Sequence, residues 1–436
     1  MPHPMRAFAV MSLGIVLFAP EAVLADASIV DSLASQGQLR VPIEQARLLE
    51  SELGQLFIVN VDGFGYFEGS LALEPDFAPM VQQLQVGGVI PHYGSSNYQK
   101  IRRTNRALFG MTRLPLLVCC DIVRLRSREG KRLLSAAFGD GYVGGFIGKY
   151  RALPDSQFQT LAELNAFVFA ALGMNVALGP TVDDSTRDAS TEARARIVVG
   201  ELHRFGLLPV LKHFPFLPTG ANLHSSSPDT RVPLDAAEKR IFVFRDLAGA
   251  SPIIMTTHLN DSLVDRTIVT FSQPWVGILR QDTGFSGLLM SDGLLMLRNY
   301  ADVKAIGKVP ELAALDRTAG WAVRAILAGH DFVIVEGSAA QTMRAFTGVL
   351  RIACSGTTMG NELTARIEES YDRIRQLKEE NKALLSRQID VPDRAINDVM
   401  AMTPREGTDL RSFHFNEESL AEVAPELARM AVEPEP

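Results

Sequence analysis

Two hydrophobic rhythms alternate along the chain. Short apolar, β-branched runs bounded by turn residues recur, and stretches with apolar positions three and four apart separate them. A run buried on both faces and followed by an amphipathic helix is the repeating unit of a parallel sheet, so the pattern predicts an α/β fold. Eight runs have this form: QLFIVNV closing at Asp62, GGVIPH at His92, LPLLVCC at Asp121, MNVALGPTV at Asp183, LLPVLKH at His213, PIIMTTH at His258, GLLMS at Asp292 and DFVIVE at Glu336. Eight repeats match a (β/α)8 TIM barrel forming a single domain. Each run closes on a polar or ionisable residue, at the end where such barrels place their chemistry.

The helical stretches are equally legible. Ser190 to Phe205 carries Ala193, Ile197, Val198 and Leu202 on one face, and Leu315 to Leu327 carries Ala319, Ala322, Val323 and Ile326. Both faces are expected to pack on the barrel. Beyond Glu336, Leu363, Ile367, Tyr371, Ile374 and Leu377 predict one long amphipathic helix over Glu362 to Leu385. The barrel domain is therefore read as residues 26–388, and residues 389–436 as an acidic, partly disordered extension, since they hold only short apolar clusters and end VEPEP.

At the other end, one Arg precedes an apolar run from Ala7 to Phe18 that gives way to small residues. That layout is a secretory signal peptide over residues 1–25, too short to span a membrane, and it predicts a periplasmic or secreted protein with no membrane span after cleavage. With 436 residues, 47% of them hydrophobic, the chain can bury a large core. Its 43 Lys and Arg against 50 Asp and Glu give a net charge of -7 without a basic block, which argues against a nucleic-acid partner. The three cysteines, Cys119, Cys120 and Cys354, cannot all pair and read as buried inert thiols.

The segment GFSGLLMSDGLLM, residues 284–296, resembles the signature of the family 3 glycoside hydrolases, in which a Gly-Phe-x-Gly turn leads into a strand ending Ser-Asp. Further similarities follow in order: GGVI, LPLLVCCD, GMNVALGPTVD, LKHFP, MTTHLND, AGHDFVIV and RIEESYDRIRQLK, so that the resemblance spans residues 40 to 385. It implies a β-N-acetylhexosaminidase-like catalytic barrel working without metal or other cofactor. Asp292 would be the nucleophile, since a retaining glycosidase needs an ionised carboxylate at the anomeric carbon. Lys212 and His213, of the Lys-His-Phe-Pro segment, would contact sugar hydroxyls, as would Asp121. His224 falls where the family has its acid/base histidine.

The chain departs from the family around that pocket. The aspartate two residues before the acid/base histidine is Asn222 here, the Asp-x-Glu-Gly-Gly-Arg-Val motif becomes DIVRLRSREG, and the Gly-x-Arg-Ser-Phe segment has no counterpart, Arg187 being the nearest substitute. Two expectations follow. One is hydrolysis of a β-linked glycoside of N-acetylglucosamine type, from a cell-wall glycan or muropeptide-like substrate. The other is a glycan-binding or scaffolding protein on the same barrel. Gly139, Gly141 and Gly144 spell G-x-G-x-x-G, but a dinucleotide site there would interrupt the barrel pattern, and the segment reads as a loop. His92, His213 and His258 stand at separate strand ends and could cradle a metal, with no HExxH or Cys-x-x-Cys beside them, but the resemblance implies catalysis without one. The sequence assigns no oligomeric state.

Overall fold

The computed structural model describes residues 28–60, 77–91, 98–120, 122–126, 132–137, 147, 150–183, 189–216, 234–260, 262, 264–300, 309–388, 390–404 and 408–432. Among the described residues ten strands run in chain order: β1 Phe57–Asn60, β2 Gly88–Ile90, β3 Leu117–Cys120, β4 Ile122–Arg126, β5 Arg132–Ala137, β6 Val176–Ala177, β7 Leu208–Phe214, β8 Ile253–Thr256, β9 Leu288–Gly293 and β10 Phe332–Glu336. Eight of them close into a parallel barrel in the order β1-β10-β9-β8-β7-β6-β3-β2, while β4 and β5 form a separate antiparallel hairpin. The chain is a (β/α)8 TIM barrel, with a barrel strand in every predicted run. β6 is the shortest of the eight, and beyond it Leu178 N–H still donates to Cys120 O at 2.8 Å. The run resumes as an isolated bridge between Thr181 and Lys212, with Val182 N–H donating to Lys212 O at 2.7 Å.

The surrounding helices bury the faces their periodicity marks. Helix Arg317–Ala328 buries Ala319, Ala322, Val323 and Ile326 completely. Helix Ala189–Arg204 is rotated slightly from expectation: Ala195, Val198, Val199 and Leu202 face the core and Ala193 is exposed. Arg194 takes an inward place, donating to the Tyr150 and Leu153 carbonyls at 3.1 and 2.7 Å with its charge met by Asp155. Where helix Ile43–Leu56 crosses the chain before β2 the contact is backbone on backbone, and a Cβ on Gly54 would lie 1.7 Å from Leu84 O. The closing helix runs Thr358–Glu380 and breaks at Asn381 before a short turn, Lys382–Leu385. Leu363, Ile367 and Ile374 are fully buried, whereas Tyr371 and Leu377 are partly so.

The described residues of 389–436 include two helices, Asp393–Met402 and Glu417–Met430. Their short apolar clusters are one-sided, and Ile396, Val399, Met400, Val423 and Met430 are buried against the barrel's helices. The predicted signal segment lies outside the described residues. Among the described residues, no helix is long and apolar enough to cross a membrane, and all three cysteines are buried thiols, Cys119 pushed up to about 12 by burial.

Candidate active site

The C-terminal ends of β6 to β10 bring a set of ionisable side chains together. Asp292 stands near the end of β9, partly buried, with its Oδ1 accepting the N–H of Gly293 at 2.7 Å. Burial opposes its ionisation. The charges of His213 and His258, the Gly293 N–H and the charge of Lys212 outweigh that opposition, and the carboxyl is held below its ordinary range. Asp292 is thus a carboxylate at neutral pH, the state a carboxylate nucleophile requires.

Lys212 and His213 lie on the adjoining strand but one, in β7, where the Lys212–His213 and Phe214–Pro215 peptide bonds are cis. Lys212 is buried. The His213 ring is nearly so, and its Nδ1 lies 3.0 Å from Oδ2 of Asp183, itself buried after the Thr181 bridge. An acceptor-only carboxylate at Nδ1 fixes a hydrogen there and leaves Nε2 as the other polar atom of the ring.

His258, two residues past β8, is fully buried. Its Nε2 is 2.9 Å from the carbonyl of Gly293, so it carries a hydrogen. Its Nδ1 is 2.6 Å from Thr270 Oγ1, which donates to Thr257 O at 3.1 Å. The ring thus bridges the Gly293 carbonyl and the Thr270 hydroxyl, and its charge favours the Asp292 anion. Tyr300 lies edge-on to this ring at 6.1 Å between centroids, and burial, then the Asp292 charge, raises its phenol.

Glu336, the last residue of β10, places a second carboxyl here. It is 7% exposed, and its Oε2 accepts the Leu295 N–H at 2.7 Å. Its Oε1 lies over Gly293, where a Cβ would come within 2.6 Å of it. Burial pushes it up to about 7; the Leu295 N–H opposes this and the Asp292 charge adds to it. Below them, His330 is kept neutral, lowered to about 3 chiefly by burial, and is bonded to Thr256 Oγ1 at 2.8 Å and Ala325 O at 3.0 Å.

Of the residues singled out in the sequence, Asp292, Lys212 and His213 are gathered at one end of the barrel. Asp121, His224, Asn222, Arg187, His92 and the G-x-G-x-x-G segment lie outside the described residues. Four neighbours of Asp292 or its partners carried no role in the sequence reading: Asp183, His258, Glu336 and Tyr300. The first three did carry a signal, since each closes an apolar run. Tyr300 carried none. No group of three or more potential metal ligands occurs among the described residues.

The family model described as "Glycosyl hydrolase family 3 N terminal domain" matches residues 48–377. A beta-hexosaminidase of Xanthomonas oryzae pv. oryzae is 27% identical over 220 residues, which are 45% of this chain and 63% of that protein, so the match spans under two thirds of the relative. A beta-hexosaminidase of Nitrosomonas eutropha is 27% identical over 268 residues, covering 54% of this chain and 73% of the relative. Among solved structures, a β-N-acetylhexosaminidase from Beutenbergia cavernae superposes with a TM-score of 0.58 at 21% identity, covering 76% of this chain and 98% of that one. A family 3 β-N-acetylglucosaminidase from Paenibacillus sp. str. FPU-7 gives 0.61 at 19% identity, covering 88% and 68%. At these identities the structures share the fold.

Proposed function

Because the chain belongs to glycosyl hydrolase family 3, we propose that it hydrolyses a β-linked glycoside, of N-acetylglucosamine type, in two steps with net retention. The observation that carries this reading is Asp292: a carboxylate at the barrel mouth, held below its ordinary range despite burial. In the first step an Asp292 oxygen attacks the anomeric carbon as its bond to the leaving oxygen breaks, and His224 gives that oxygen a proton. In the second, water attacks the same carbon, its proton passes to His224, and the ester bond to Asp292 breaks. Lys212, His213 and Asp121 hold the glycone through its hydroxyls, with His213 oriented by Asp183. No metal or other cofactor enters this scheme. The leader-like residues 1–25 support action on cell-wall material outside the cytoplasm.

The test is release of chromophore from an aryl N-acetyl-β-glucosaminide by the chain from Asp26 and by its Asp292→Asn variant. Turnover by the first that falls by several orders of magnitude in the second supports the reading. No turnover by either favours the glycan-binding scaffold to which Asn222, in place of a carboxylate beside His224, also points. Turnover that survives the substitution rejects Asp292 as nucleophile.

A further inference from the structure

The turn that carries Asp292 is clamped from two sides. On one, His258 Nε2 donates to the Gly293 carbonyl at 2.9 Å. On the other, Glu336 Oε2 accepts the Leu295 N–H at 2.7 Å while its Oε1 closes over the Gly293 Cα, leaving no room for a side chain there. Between these two clamps the Gly293 N–H points at Asp292 Oδ1, 2.7 Å away. We infer that Glu336 is a positioning residue for Asp292: its carboxyl fixes the Gly293–Leu295 turn that presents the Gly293 N–H, and its proton occupancy follows the charge on Asp292. The inference rests on the reading of Asp292 as nucleophile only for its catalytic consequence.

The chemistry of two neighbouring carboxyls requires such coupling. When Asp292 is ionised, a second negative charge on Glu336 costs energy, so Glu336 keeps its proton to higher pH. The charged or titratable groups around the pair are Arg298, on the turn Leu294–Asn299, which favours the Glu336 anion, Lys212, His213 and His258, which favour the Asp292 anion, and the Tyr300 phenol, which burial and then the Asp292 charge keep protonated. Once Asp292 is esterified to the sugar its charge is gone, and Glu336 releases its proton more readily. Glu336 is thus built to cross its titration point between the free and the glycosylated enzyme. Because attack by Asp292 relieves the repulsion, ionised Glu336 favours the first step, and kcat/KM rises through a limb near neutral pH.

Carbon-13 NMR of the chain labelled at glutamate side-chain carboxyls tests the pairing without turnover. The expected result is a resonance titrating near pH 7 that is missing from Glu336→Gln and moves down by about half a pH unit or more in Asp292→Asn. The missing peak assigns the signal, because burial also pushes Glu52 on helix Ile43–Leu56 up to about 7. A Glu336 signal that titrates in the ordinary carboxylate range, or one unmoved by Asp292→Asn, overturns the inference. Should Glu336→Gln fail to fold, the response of the two high-titrating signals to Asp292→Asn decides alone. In turnover, the glutamine keeps an acceptor for Leu295 N–H but cannot titrate, so Glu336→Gln should fold, and its kcat/KM should lack the limb near neutral pH. A variant whose pH profile matches the parent has lost only a structural contact, which rejects the coupling. Absence of turnover in the parent would count against the hydrolytic reading while leaving the NMR result intact.

Discussion

Asp292 owes its ionisation to neighbours drawn from separate strands, and the least replaceable of these is the pair formed by His213 and Asp183. Asp183 is buried and presents Oδ2 to His213 Nδ1 at 3.0 Å, so it orients the ring. The His213 charge is the largest influence holding the Asp292 carboxyl down against burial. In Asp183→Asn the His213 ring is no longer held in place beside Asp292, whose carboxyl then protonates more readily, and the acid limb of kcat/KM moves to higher pH. The rate at neutral pH should fall about tenfold to a hundredfold, the equivalent of one buried charge-assisted hydrogen bond. A pH–rate profile of the variant checks both effects. An unmoved acid limb would mean that His213 does not set the ionisation of Asp292.

The elements that hold these residues in place converge on a second buried carboxylate. Asp331, at the entry to β10, is fully buried; it accepts Leu289 N–H at 2.8 Å from β9 and Ser370 Oγ at 3.1 Å from the closing helix. Arg373, Arg280 and Arg366 approach it at 3.3, 3.5 and 3.7 Å, tying helices Gln273–Asp282 and Thr358–Glu380 to the two strands that bear Asp292 and Glu336. Asp331→Ala strands three like charges around an empty site and should lower unfolding stability by about 3–5 kcal/mol in a denaturant titration. A midpoint unchanged from the parent would show that the arginines find other partners. Elements of this kind were legible as types and places but not as contacts. The eight apolar runs gave the barrel because burial on both faces leaves a continuous hydrophobic signature, and Asp292 was found by its Gly-Phe-x-Gly turn and strand-terminal position. Ala193 was misassigned because helical periodicity tolerates a rotation of one residue when an arginine such as Arg194 buries its stem and finds carbonyl partners. The pairing of Glu336 with the Asp292 turn joins residues more than forty positions apart, and no local pattern encodes it.

At the scale of the molecule, the C-terminal helices extend the barrel's shell. Arg102, on helix Tyr98–Leu108, donates to Val391 O at 2.8 Å and pairs with Asp390 and Asp393, while Arg387 reaches Met430 O at 2.8 Å and Val432 N–H returns to Arg204 O at 2.7 Å. Among the apolar side chains buried there, Ile396, Val399, Met400, Val423 and Met430 alone represent gross stabilisation on the order of 10 kcal/mol, from which the entropy of ordering the segment is subtracted. Truncation after Gln388 bares their partners on the barrel, so the shortened protein should melt earlier and aggregate as its concentration rises. Equal melting of the two forms would assign the helices no part in stability. What the fold supports at its open end is tested most directly by mass spectrometry of the protein after incubation with a fluorinated N-acetylglucosaminide bearing a good leaving group. The account predicts one covalently bound sugar, mapped to Asp292 and absent from Asp292→Asn; turnover of the ordinary substrate with no adduct, or with an adduct on another residue, would contradict it.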